Sequence, residues 1–313
     1  MEFQHVSVLL QESIEGLNIK PNGIYVDGTA GGAGHSSQIA RRLDPRQGGR
    51  LISIDKDPDA IQTATQRLSP YPAAQVVRGD FKDIPQILDT LGIDRVDGIL
   101  LDLGVSSRQL DTAQRGFSYH FDSRLDMRMS QQGLSAYDVV NTYSKEELIR
   151  ILRDYGEEKF APRIAAAIVQ AREEKPVETT FELVDLIKQA LPMAAKRGKG
   201  HPAKQTFQAI RIEVNHELDY LKECIEGSFE RLNPGGRFCI ITFHSLEDRI
   251  VKQMFHSYTI GCTCPPEFPV CVCGKKPRAK LVPKKPIEPT PEEIEQNNRS
   301  RSAKLRVLEK LES

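Results

Sequence analysis

Residues 28–36, GTAGGAGHS, constrain this chain more than any other stretch. They follow directly on the apolar run IYVD and lead into SSQIARRL, with Gly28, Gly31, Gly32 and Gly34 close together. Glycine at this density lets a backbone turn tightly and come close to a ligand. Set between a strand pattern and a helix pattern, it predicts a βα unit with a ligand at the turn, and so an α/β fold.

The rest of the chain continues that alternation. Strands are expected at 23–27, 50–55, 74–81 and 96–104, the last nearly all apolar as a buried central strand should be. Asp57 and Pro58 form an N-cap and first-turn pair for a helix carrying Ala60, Ile61, Ala64 and Leu68. From Ser106 to Asn215 the signals are helical, with capping boxes at Ser144/Glu147 and Thr179/Glu182. Val214, Leu218, Leu221, Ile225 and Leu232 then recur at helical spacing up to NPGG (233–236), which stops the helix. A fifth strand follows at 237–243, and a last, antiparallel one at 303–311. The expected architecture is a doubly wound core built from 1–105 and 216–313, with a helical insertion at 106–215 after strand four.

Charge narrows the partners. The 43 basic and 43 acidic residues cancel, which argues against a uniformly basic nucleic-acid coat. Two runs nevertheless lack any acid: 194–204, with Lys196, Arg197, Lys199 and Lys204, and 274–286, with Lys275, Lys276, Arg278, Lys280, Lys284 and Lys285. Each reads either as a solvated face or as a local polyanion contact. No apolar run approaches the roughly 18 residues that cross a bilayer, so no membrane partner is expected. The opening MEFQHVSVLLQES has no basic leader or long apolar core, and the expected compartment is the cytosol.

The loop fits neither familiar phosphate motif. A P-loop needs a lysine, and none falls between Lys20 and Lys56. The dinucleotide fingerprint fails because Ala30 and Ser37 stand where glycines belong, which disfavours a nicotinamide-dependent oxidoreductase. Ligands of open α/β sheets lie beyond the carboxyl ends of the strands, so Gly28–His35, Asp55, Phe81 and Asp102 share one rim. Asp55 reads as a ribose-binding carboxylate or a turn aspartate, and Phe81 as an adenine contact or a core side chain. A loop without cations suits S-adenosylmethionine, a nucleoside joined to a zwitterionic amino acid. A DNA amino-methyltransferase would show [DNS]-P-P-[YFW] after strand four, where this chain reads DLGVSS. A non-catalytic RNA-binding module is the other alternative.

Several blocks carry a resemblance: HVSVLLQE (5–12), DGTAGGAGHS (27–36), LDLGVSSRQLD (101–111), RGFSY (115–119), LDMRM (125–129), HPAKQTFQAIRIEVNHEL (201–218) and TFHSLEDRIVK (242–252). In this order they resemble the bacterial 16S rRNA cytosine-N4 methyltransferase family, whose target is cytidine 1402. The resemblance implies a Rossmann-like class I methyltransferase core, S-adenosylmethionine as cofactor and the small ribosomal subunit as partner. It implies cofactor contacts from Ala33, Gly34, His35, Asp55, Phe81, Asp102 and Gln109. Some members have glycine in place of Ala33. The helical insertion would recognise RNA. Asp102 reads as an acceptor for an N4 hydrogen, or as a cofactor contact or loop cap. His244, with Ser245, reads as a base contact or acid/base group, or as a buried structural histidine. Homo-oligomerisation stays open.

Cys262, Cys264, Cys271 and Cys273 form C-x-C-x6-C-x-C. Four close thiols in a cytosolic chain suggest a structural zinc, although the spacing differs from the C-x2-C of zinc ribbons. A reduced loop or a redox-sensitive pair is the alternative. Family members that lack these cysteines argue against a catalytic role.

Overall fold

The computed structural model describes residues 7–193, 200–262, 264, 265, 268, 270 and 273–312. The chain forms two compact units, Met1–Gly104 with Leu218–Ser313, and Val105–Glu217.

The first unit is built on seven strands: β1 (Ile24–Asp27), β2 (Arg50–Asp55), β3 (Ala74–Arg78), β4 (Val96–Asp102), β5 (Leu232–Thr242), β6 (Ala279–Leu281) and β7 (Lys304–Lys310). Their order is β3-β2-β1-β4-β5-β7-β6. The pairs from β3 through β5 are parallel, and β7 runs antiparallel to both β5 and β6. Alternate residues of β4 face opposite cores. Ile99 and Leu101 join Ile52, Ile54, Phe229, Phe238 and Phe255 on one side. Leu100 joins Tyr25, Ile39, Leu51 and Ile241 on the other. Two covered faces explain why β4 reads as an unbroken apolar run. The α/β expectation is borne out, and Asp57 caps the helix Pro58–Leu68 by accepting the amide of Asp59.

Two strand boundaries and one unforeseen strand depart most from the sequence reading. β3 ends at Arg78, because Asp80 caps a short 3-10 turn, Phe81–Asp83, by accepting the amide of Lys82. β5 starts at Leu232 rather than 237: Leu232 pairs with Val96 and Arg237 with Gly98, so NPGG bulges within the strand. β6 lies in the second basic run, where high charge hides a three-residue edge strand.

The second unit comprises the helices Ser107–Asp111, Ala136–Thr142, Lys145–Asp154, Ala161–Glu174, Thr180–Ala190 and Lys204–Asn215. Among its described residues the only extended pairing is an isolated bridge between Arg124 and Thr179. Both expected capping boxes form, and Ser106/Gln109 and Ser135/Asp138 make two more. The apolar faces enclose Leu125, Ile151, Ile164, Leu183, Phe207 and Ile210.

Buried Asn215 pins this core to the chain around Met127, which takes a left-handed backbone at φ 57. Its Oδ1 accepts the amide of Met129 at 2.9 Å, and its Nδ2 donates to the carbonyls of Met127 and Arg211 at 2.8 and 2.9 Å. Asn215→Ala strands these buried backbone groups, so it should lower the urea-unfolding free energy by about 3 kcal/mol. A loss below about 0.5 kcal/mol, typical of surface changes, would contradict that role.

Candidate active site at the strand tips

The glycine loop is stitched to the ends of two strands, β2 and β4. Gly28 donates its amide to Leu100 O at 2.9 Å, and Ala30 donates to Ile54 O at 2.8 Å. Thr29 Oγ1 accepts the amide of Asp102 at 2.7 Å. Gly28 has no room for a side chain: a Cβ there would lie 2.5 Å from Leu101 Cδ2 and 3.2 Å from Phe81 Cβ. Ala33 is buried in the left-handed region at φ 59, the conformation glycine adopts at no cost. That backbone explains why glycine also suits this position.

Asp27, at the end of β1, is buried. Its carboxylate accepts Ser36 Oγ at 2.6 Å and the amide of Thr29 at 3.1 Å, and Ser36 Oγ lies 2.6 Å from Ser53 Oγ. Burial pushes the Asp27 carboxyl up, against the pull of these hydrogen bonds. The sequence reading did not single out Asp27. Its signal was position alone, a carboxylate between an apolar strand and glycine.

Asp55 ends β2 and clamps the loop. Its Oδ2 accepts the amide of Gly31 at 2.8 Å and its Oδ1 that of Asp57 at 2.9 Å. Burial raises its pKa to about 6 despite those donors, and the charges of Asp57 and Asp27 add to the rise. The turn role is therefore real. Each oxygen still has a second lone pair for a further donor.

His35 is buried, with Nε2 3.1 Å from Val8 O, and a carbonyl partner assigns the proton to Nε2. Nδ1 lies 3.7 Å from Asp102 Oδ2. Asp102 closes β4 with its side chain 26% exposed, and its Oδ1 is buried without a hydrogen-bond partner. Burial, followed by the charges of Asp27 and Glu247, raises its pKa to about 8. Phe81 is half-buried beside the loop, with Lys56 Nζ 5.9 Å from its ring centre and 3.1 Å from Asp80.

Gln109 belongs to the second unit, where Oε1 accepts the amide of Ser106 and its own amide donates to Ser106 Oγ. His244 caps the helix Ser245–Thr259 after β5. Its Nδ1 accepts the amide of Glu247 at 3.4 Å, and Glu247 Oε2 accepts the amides of Phe243 and His244 at 2.8 and 3.3 Å. This capping favours the structural reading of His244.

The sulfurs of Cys262, Cys264 and Cys273 lie within 4.8 Å of one another, while Cys271 lies outside the described residues. Of the first basic run, 194–199 also lie outside them. In the second run, Arg278 pairs with Glu230 at 2.6 Å and Lys280 with Glu309 at 2.8 Å, so part of its charge is neutralised. No helix among the described residues is long and apolar enough to cross a membrane.

Residues 2–311 match the MraW methylase family. The chain belongs to that family. It is similar to the ribosomal RNA small subunit methyltransferase H of Lachnospira eligens, 60% identical over 313 residues that cover 99% of each chain. The protein of that name from Clostridium botulinum strain Kyoto is 58% identical over 312 residues, covering 99% of this chain and 100% of its own. That from Brevibacillus brevis is 56% identical over 313 residues, 99% of each. With the strand order above, the core of this MraW-family chain is a Rossmann-like class I methyltransferase fold.

The raised Asp102 pKa fixes the sign of a stability effect in this MraW-family chain. Between about pH 4 and pH 8 the native state binds more protons than the unfolded chain, so stability falls as pH rises through that window. Asp102→Asn removes this loss. Its stability advantage over the parent should grow from near zero below pH 4 to about 2 kcal/mol at pH 8, discounted for partial exposure. A stability difference in urea unfolding that does not vary with pH would refute the raised pKa.

Proposed function

We propose that this MraW-family chain transfers a methyl group from S-adenosylmethionine to N4 of a cytidine, C1402, in 16S rRNA of the small ribosomal subunit. The observation that carries the reading is the acidity of the rim: the charge of Asp27 bears on both Asp55 and Asp102, that of Glu247 bears on Asp102, and residues 28–34 contribute no cation. Such a site repels phosphates and favours a cationic centre. The names of the relatives, which refer to methylation of small-subunit rRNA, support the substrate.

The residues fit the cofactor. When bound, S-adenosylmethionine supplies a methyl group on a positively charged sulfur, open to in-line displacement. Asp55 has lone pairs to accept ribose hydroxyls, and Phe81 offers a ring face to the base. Ala33, Gly34 and His35 contribute backbone to the cofactor's edge, with the His35 ring held by Val8. Gln109 remains a proposed contact. Asp102 Oδ1, buried and unpartnered, is the acceptor for the N4 hydrogen, and this localises the nitrogen lone pair. A cation beside Asp102 lowers its pKa and ionises it for that task. Alignment supplies much of the acceleration.

The second unit is the proposed RNA-recognition unit. Phe121 and Phe181 are exposed on it, and Thr180 Oγ1 holds the carbonyl of Phe121 at 2.6 Å. Exposed aromatic rings suit stacking on unpaired RNA bases. Extrusion of the cytosine gives access to N4.

Mass mapping of 16S rRNA nucleosides from cells with and without the gene tests the proposal. N4-methylcytidine at C1402 should vanish on deletion, return with the parent gene, and stay absent with an Asp102→Ala gene whose product is folded. An unchanged signal after deletion would refute it.

A further inference from the structure

Three cysteines converge on the loop between the helix Ser245–Thr259 and β6. Cys273 Sγ lies 3.8 Å from Cys262 Sγ, and all three sulfurs lie within 4.8 Å of one another. A disulfide needs about 2.05 Å, so the 3.8 Å pair is not covalently closed. Zinc–thiolate bonds of about 2.3 Å in tetrahedral geometry set sulfur atoms about 3.8 Å apart. The Cys262–Cys273 separation equals that edge. The amide of Cys264 also donates to Cys262 Sγ at 3.4 Å.

The remaining described cysteines are unsuited to a metal. Cys224 and Cys239 are buried, and burial pushes both thiols up to about 12. The surroundings of the three converging thiols also call for a staple. Among the described residues of this loop, Phe268 and Val270 are exposed, not packed into a core. At its far side the chain returns to the fold through Arg278, whose amide donates to Tyr258 O at 2.8 Å.

We propose that Cys262, Cys264 and Cys273 bind a structural zinc ion that closes this loop. Binding forms three zinc–sulfur bonds and releases one proton from each thiol to solvent. The ion fixes the path into β6 and the adjoining Lys275 and Lys276. The site is distant from the strand-tip chemistry in role, and it stands whether or not the methyl-transfer reading does.

The test uses the full chain, purified reduced and without chelator. Elemental analysis should find about one zinc per chain, falling about tenfold in Cys264→Ser and in Cys273→Ser. Both variants should keep the parent's far-ultraviolet circular dichroism. Cobalt added to metal-free parent protein should give thiolate-to-cobalt charge-transfer absorption, lost in both variants. Zinc retained by both variants would overturn the proposal, and so would a parent that holds no zinc and shows no cobalt–thiolate band.

Discussion

The buried Asp27 carboxylate is the interaction on which the strand-tip site depends. It joins the end of β1 to the glycine loop through Thr29 and to the following helix through Ser36, and Ser36 extends the chain of contacts to Ser53 on β2. A carboxylate taken out of water is costly unless its oxygens are satisfied. The structure meets that cost by closing the loop around it, so the same bonds that satisfy Asp27 fix the loop's path. The clamp of Gly31 by Asp55 and of Asp102 to Thr29 then has a fixed frame to act on.

The arrangement has an electrostatic consequence. Burial raises the pKa of Asp55 and of Asp102; the charge of Asp27 adds to both, and that of Glu247 to the second. Carboxyl groups held this close resist simultaneous ionisation. A positively charged ligand relieves that repulsion, whereas a phosphate would increase it. Residues 28–34 themselves carry no lysine of the kind that phosphate loops need.

Much of this was legible in the sequence because it is local. The apolar run of β4, the capping boxes at Ser144 and Thr179, and the cap at Asp57 are each specified by residues a few positions apart. What escaped depends on pairing between distant segments. NPGG has the signature of a helix stop, and only the register against β4 makes it a bulge inside β5. β6 exists because β7 offers it an edge, which no pattern in a lysine-rich stretch reveals. The capping of His244 agrees with its structural reading, and Gln109, a cofactor contact implied by the resemblance, also completes a helix cap. The 3.8 Å approach of two cysteine sulfurs separated by eleven positions is likewise a property of the folded loop.

Calorimetric titration of the purified chain with S-adenosylhomocysteine, alongside NAD, tests the central claim most directly. The account predicts saturable binding of S-adenosylhomocysteine, no heat with NAD, and an affinity about tenfold or more weaker in Asp55→Ala, as expected for a lost pair of charged hydrogen bonds. Binding of NAD in place of S-adenosylhomocysteine would contradict it.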